Sequence, residues 1–62
     1  MNYFIAFIRD DDFEWCVFET MNRKYAISVF EDMSAPPEYR MELRATTESV
    51  ETYRTYEVIY EA

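Results

Sequence analysis

The chain reads as a mainly β protein, a single small antiparallel sheet of about five strands. Three observations predict it. Most stretches between turns alternate apolar and polar residues with a period of two. Residues suited to a pleated surface dominate: half of the 62 residues are apolar or aromatic, and 19% are Phe, Trp or Tyr. The segments between them gather Asp, Asn, Ser and Pro, which turn or interrupt the backbone.

Residues 3–8, Tyr-Phe-Ile-Ala-Phe-Ile, form a continuous apolar run. Its length and aromatic content favour a strand, and its two apolar faces place it centrally in the sheet or at a contact. Arg9 to Asp12 is a charged turn. Over residues 13–20, Phe13, Trp15 and Val17 alternate with Glu14, Cys16 and Phe18. After a polar break at residues 21–24, with Asn22 as the turn residue, Tyr25, Ile27 and Val29 alternate with Ala26, Ser28 and Phe30. Residues 13–31 therefore read as a hairpin. Two prolines, Pro36 and Pro37, keep the next segment extended and out of any ladder.

Residues 38–46 divide by criterion. Their Glu, Arg, Met and Leu favour a helix, and Ser34 can cap one, which gives the alternative of an α+β fold with a short helix at about 36–45. Periodicity favours a strand: Tyr39, Met41, Leu43 and Ala45 alternate with Arg40, Glu42, Arg44 and Thr46. Residues 52–60 alternate again and complete a meander. The chain has no glycine, so its turns rest on type I geometry or on Asn and Asp.

Sixty-two residues make one domain, 1–62, which can barely bury a core. Domains of this size often need a disulfide, a metal or a second chain. Cys16 is the only cysteine, which excludes an internal disulfide, and the absence of His argues against a metal site. Lying between Trp15 and Val17, Cys16 reads as a buried apolar residue. Dense packing, a homodimer or a tight heterocomplex remain, and the doubly apolar first strand points to a face covered by another chain. The opening apolar run lacks a basic start and stops at Arg9–Asp12, so it reads as a strand and not as a signal peptide. No segment approaches the roughly 18 apolar residues of a membrane span. A lone thiol fits a reducing cytoplasm.

Charge carries the functional reading. Thirteen acidic side chains face six basic ones, for a net charge of −7. No His serves as a general base and no nucleophile–base pair stands out, so the chain reads as non-enzymatic, with no cofactor. The Asp10–Asp12 run lacks the spaced ligands of a calcium loop and reads as a solvated turn. Direct nucleic-acid binding is disfavoured by the excess of negative charge. Reversed, the same electrostatics fit a mimic of DNA: carboxylates on a rigid sheet stand in for phosphates and steer the chain to a basic DNA-binding protein. Glu38, Glu42 and Glu48 border the fourth expected strand. Glu51, Glu57 and Glu61 border the fifth, and Asp10, Asp11, Asp12 and Glu14 cluster at the first turn. A second reading is a small structural or oligomer-forming subunit whose acidity confers solubility. A third keeps the inhibitor role but aims it at a defence nuclease or an RNA polymerase.

Two short stretches bear on the target. Ala35-Pro36-Pro37-Glu38-Tyr39-Arg40 is similar to a proline-containing segment of the phage-encoded uracil-DNA glycosylase inhibitors, and Glu48-Ser49-Val50 resembles their Glu-Ser-Ile tripeptide. The resemblance implies a phage-encoded DNA mimic acting in the host bacterial cytoplasm on a uracil-DNA glycosylase. It implies Glu48 and Ser49 as contacts inside the enzyme's cleft. It also implies an apolar pocket, formed by Met33, Met41, Leu43 and Val50, that grips a protruding side chain of the enzyme. Glu51, Glu38 and Glu42 complete the expected partner-binding set.

Overall fold

A computed structural model describes residues 1–62. It contains strands β1 (Asn2–Arg9) and β2 (Glu14–Thr20), helix α1 (Arg23–Asp32), and strands β3 (Tyr39–Thr46) and β4 (Glu57–Glu61). The sheet is antiparallel with strand order β2-β1-β3-β4. The mainly β class holds, with four strands in place of five. The expected third strand is a helix, so the hairpin read over 13–31 does not form. The helix considered at 36–45 does not form either, since Tyr39–Thr46 is a strand. The chain crosses from β2 to β3 by way of α1, so β1 enters the middle of the sheet and the order is not a meander.

The helix forms because two local signals agree. Asn22 sits at its N-cap with extended backbone, and its side-chain oxygen accepts the Tyr25 N–H at 3.0 Å. This satisfies one of the donors that a helix start leaves open. Helical spacing then puts Ala26 and Phe30 one turn apart on one side, where both are buried against the sheet. The helix ends at Met33, whose N–H donates to the Phe30 carbonyl at 3.2 Å.

Each face of the sheet has its own cover. On the first, α1 packs over Ile5, Phe7, Met41 and Leu43. On the second, Phe4, Ala6 and Ile8 are buried beneath Val50 and Tyr53, which belong to the irregular segment between β3 and β4. Both apolar faces of β1 are thus covered within the chain. Both of its edges are also paired, to β2 and β3. The doubly apolar first strand therefore needs no second chain to cover it. Two bulges adjust the ladder, one leaving Val17 unpaired against Ile5/Ala6 and one leaving Ile59 unpaired against Leu43/Arg44.

The turns confirm that Asp can replace glycine in one place and reveal a costlier substitute in another. Asp12 has φ 66° and Glu38 has φ 74°. Asp tolerates the left-handed region because its short side chain can bond locally, whereas Glu carries the full Cβ penalty. No helix is long and apolar enough to cross a membrane.

Three substitutions at two positions test these backbone assignments. Asn22→Ala should lower stability by about 1 kcal/mol, and Asn22→Gly by only a few tenths. Glu38→Gly should raise stability by about 1 kcal/mol by removing the left-handed penalty. Urea unfolding followed by circular dichroism reads all three. A stabilising Asn22→Ala would contradict the cap.

Candidate partner-binding surface

The second face of the sheet is organised around a cation. Arg44 projects from β3 and is 1% exposed. Its Nε donates to Glu42 Oε1 at 2.7 Å. Its two terminal nitrogens donate to the Glu14 carboxylate at 2.7 and 3.1 Å, and one of them also donates to the Tyr53 hydroxyl at 3.3 Å. The Tyr56 ring lies over the guanidinium, 4.1 Å from its centre. Arg40 adds a weaker contact to Glu42 at 3.5 Å. A planar five-donor group suits this site because one cation can serve two carboxylates, a phenol and a ring face together. Burial works against the Arg44 charge, but the bonds from Glu14 and Glu42 outweigh it and hold the guanidinium above its ordinary pKa. The hydrogen bonds from Arg44 pull Glu14 below the ordinary carboxylate range.

Residues 47–56 lie over this cluster and are tied down at both ends. Glu48 accepts the Arg54 N–H at 3.2 Å, the Thr55 N–H at 3.1 Å and the Thr55 hydroxyl at 2.9 Å. Those bonds, the Thr55 hydroxyl first, hold its pKa low. Its backbone carbonyl accepts from the Asn2 side chain at 2.6 Å. Thr46 Oγ1 donates to the Thr55 carbonyl at 2.8 Å and accepts the Glu48 N–H at 3.1 Å. Phe4, Tyr53 and Tyr56 form a three-ring cluster of tilted and edge-to-face contacts, with centroids 4.9, 5.5 and 6.4 Å apart.

These contacts redistribute the residues expected to bind a partner. Glu42 is buried and engaged by Arg44 and Arg40, so it offers no free charge. Met41 and Leu43 are core residues beneath α1. Val50 packs on the other face of the sheet from Met33, Met41 and Leu43, so the four do not make one pocket. The Glu48 carboxylate is occupied inside the loop it was expected to project from. Ser49 is exposed and its hydroxyl accepts the Glu51 N–H at 3.3 Å. Glu51 and Glu38 are exposed and unpaired, and Met33 is half-buried at the end of α1. Cys16 is exposed on β2, not buried, with its thiol 3.8 Å from the Phe18 carbonyl. Crowding by its neighbours pushes that thiol's pKa up, which keeps the thiolate scarce.

Sequence patterning missed how the remaining charge is arranged. Three of the six cations, Arg9, Arg40 and Arg44, face three carboxylates, Asp11, Glu14 and Glu42. Ten carboxylates and three cations are left over, which reproduces the whole net charge of −7. Nine of the ten, all but Glu48, are exposed and make no ion pair or side-chain hydrogen bond: Asp10, Asp12, Glu19, Glu31, Asp32, Glu38, Glu51, Glu57 and Glu61.

Strand register locates them. Arg9 pairs with Tyr39, so the β1–β2 turn and Glu38 lie at one end of the sheet. Met41 bonds Ala62 through both backbone groups, which brings Glu61 toward that end. Glu31 joins Met41 and Ala62 around one groove, with Asp32 beside it. Asp10, Asp12, Glu31, Asp32, Glu38 and Glu61 therefore share the end where β3 begins. The three unpaired cations sit at the other end. Arg23 and Lys24 open α1 next to β2, with Arg23 5.8 Å from the Tyr3 ring centre, and Arg54 is bonded through its N–H to Glu48 beside Asn2. The helix macrodipole runs the same way, its negative C-terminus toward the acidic end. The signal was present in the sequence: Arg-Lys begins the helical segment and Glu-Asp ends it, the reverse of what helix stability favours.

No family model, curated protein or solved structure matches this chain.

The Arg44 cluster yields two expected outcomes. Arg44→Met leaves the Glu42 carboxylate buried with only the longer Arg40 contact. It should cost about 3 kcal/mol, the lower end for a broken buried pair because the Glu14 side chain is 40% exposed. Arg44→Met with Glu42→Leu should recover most of that loss in urea unfolding. The second outcome concerns pH. Glu14 has a folded pKa below its ordinary value of 4.5, so its contribution is complete above pH 4.5 and fades as the pH falls through the folded value. The stability gap between the natural chain and Glu14→Gln should be widest near neutrality and close in acid. A gap that widens below pH 4.5 would reverse the assigned sign.

Proposed function

We propose that this chain is a non-catalytic inhibitor that offers its acidic end to the basic DNA-binding cleft of a DNA-processing enzyme, standing in for the phosphate backbone. One observation carries the reading. Internal ion pairing is charge-neutral, and six of the nine free carboxylates gather at the end opposite the three free cations. Solubility alone requires net charge but no such segregation. A polarised surface orients the approach to a basic groove and raises the encounter rate.

Magnitude sets a condition on the mimicry. The longest dimension is 29 Å, which divided among seven net charges is about one per 4 Å. Duplex DNA carries about one per 1.7 Å. The charge is sparser than the polymer it replaces, so steering must be joined by apolar contact if binding is to be tight. Exposed rings are available for that at Phe13, Trp15 and Tyr60.

A uracil-DNA glycosylase is the first enzyme to assay, on the strength of the two stretches noted above. Because Glu48 is spent on its own loop, its substitution acts through loop order. The free carboxylates at the acidic end take over as the expected contacts. The chain in slight excess should abolish uracil excision from a labelled oligonucleotide. Unimpaired cleavage at tenfold excess discards this target.

Charge placement is tested by two triple variants compared in stopped-flow association with the inhibited enzyme. Asp10→Asn/Asp12→Asn/Glu38→Gln should slow association several-fold more than Glu19→Gln/Glu51→Gln/Glu57→Gln, although each removes three charges. The difference should shrink as the Debye length falls from about 30 Å to about 8 Å. Equal slowing by both variants would leave only net charge and remove the oriented surface.

A further inference from the structure

The largest concavity, about 430 Å³, lies between the end of α1 and β4. Its lining includes Ile27, Phe30, Met33, Met41 and Tyr60, with Glu31 and Glu61 among the remaining residues. The Phe30 and Tyr60 rings stack with centroids 6.2 Å apart and an interplanar angle of 28°, and Tyr60 remains 47% exposed. The groove is therefore an apolar floor with carboxylates on its lining, and it opens at the acidic end.

We propose that this groove receives an arginine or lysine side chain from an otherwise apolar segment of a partner protein. Long cationic side chains pair an aliphatic stem with a charged head. The stem would lie on Phe30, Met33 and Tyr60, and the head would meet Glu31 and the carbonyl end of α1. Three features of the site favour a cation over a purely apolar occupant. Glu31 and Asp32 occupy the last turn of α1, where a negative charge opposes the macrodipole and a positive one relieves it. No cation of this chain fills that role, since the last turn holds no basic residue. The exposed Tyr60 ring, backed by Phe30, also attracts guanidinium groups. A second copy is a poor occupant, because it brings the same acidic lining and a further charge of −7. The inference rests on the proposed function only for the partner's positive charge, and it names the site where that charge is read.

The test uses the full chain, isotopically labelled, and two capped hexapeptides: alternating leucine and arginine, and alternating leucine and glutamine. In an NMR titration at low salt, the arginine peptide should shift the amide signals of Ile27, Phe30, Glu31, Met33 and Tyr60. It should bind at least tenfold more tightly than the glutamine peptide. Tyr60→Ser and Glu31→Gln, both at exposed positions, should each weaken it several-fold with circular dichroism unchanged. Equal affinity for the two peptides overturns the cationic assignment. Shifts centred on Asp10–Asp12 and indifferent to Tyr60→Ser overturn the groove. Shifts at the groove that grow with protein concentration alone identify a second copy as the occupant and also overturn the proposal. Uracil excision separates this inference from the function above it. Inhibition untouched by Tyr60→Ser removes the groove and keeps the inhibitor. Peptide binding at the groove by a chain that inhibits nothing does the opposite.

Discussion

One buried guanidinium makes this fold practicable at 62 residues. A sheet this small has two faces and a single helix to cover them. The second face is closed instead by ten residues without regular structure, and Arg44 gives them something to close on. Its charge draws Glu42 and Glu14 together, fixes the Tyr53 hydroxyl and seats the Tyr56 ring. Burying a charge is costly, and the cost is offset only where every donor finds a partner. That condition is met here, since no buried polar side-chain atom lacks a hydrogen bond. The loop then adds its own lock at Glu48, which binds the segment's two ends together.

The same economy shapes the surface. Because the internal pairs cancel, whatever charge the chain carries beyond them is free to be placed. Most of it lies at the end of the sheet where β3 begins, and the helix is oriented to add to it. Arg23 and Lys24 at the helix start and Glu31 and Asp32 at its end all oppose local helix stability. A sequence that breaks a local rule at both ends of its one helix points to a demand made from outside the helix. The groove beside Phe30 and Tyr60 lies where that demand is strongest.

Much of this was legible in the sequence. The apolar run at residues 3–8, the alternation at 13–20 and the strict alternation at 39–46 all became strands. The central position of the first strand followed from its two apolar faces. The helix is hard to tell from a strand because its segment satisfies two periods at once. Tyr25, Ile27 and Val29 alternate as in a strand, while Ala26, Phe30 and Met33 recur as on a helix face. Asn22 could have decided the matter as an N-cap, but it also suits a turn. Glu42 and Arg44 looked like solvent-facing alternates of Met41 and Leu43, because nothing local reveals that a loop eight residues on will fold back over them. Cys16 is exposed because β2 is an edge strand, and the loop residues Val50 and Tyr53 pack over β1 and not over Cys16. The polarity of the charge was hidden for a related reason: it depends on which strand ends meet, and register is a property of the whole sheet.

The strand order has a consequence in time. β1 comes first in the chain but pairs on one side with β3, whose residues lie 30 to 44 positions beyond their partners. As the chain grows, β2 can zip onto β1 at once through a four-residue turn. The other edge of β1, an uninterrupted apolar run, must stay open until β3 arrives. Until then it is a template for any passing strand. The carboxylates at Asp10, Asp11 and Asp12 lie at the tip of that early hairpin, and like-charge repulsion between hairpins would hold nascent chains apart during the interval. Charges proposed to serve recognition in the finished molecule would thus act earlier as guardians of its assembly.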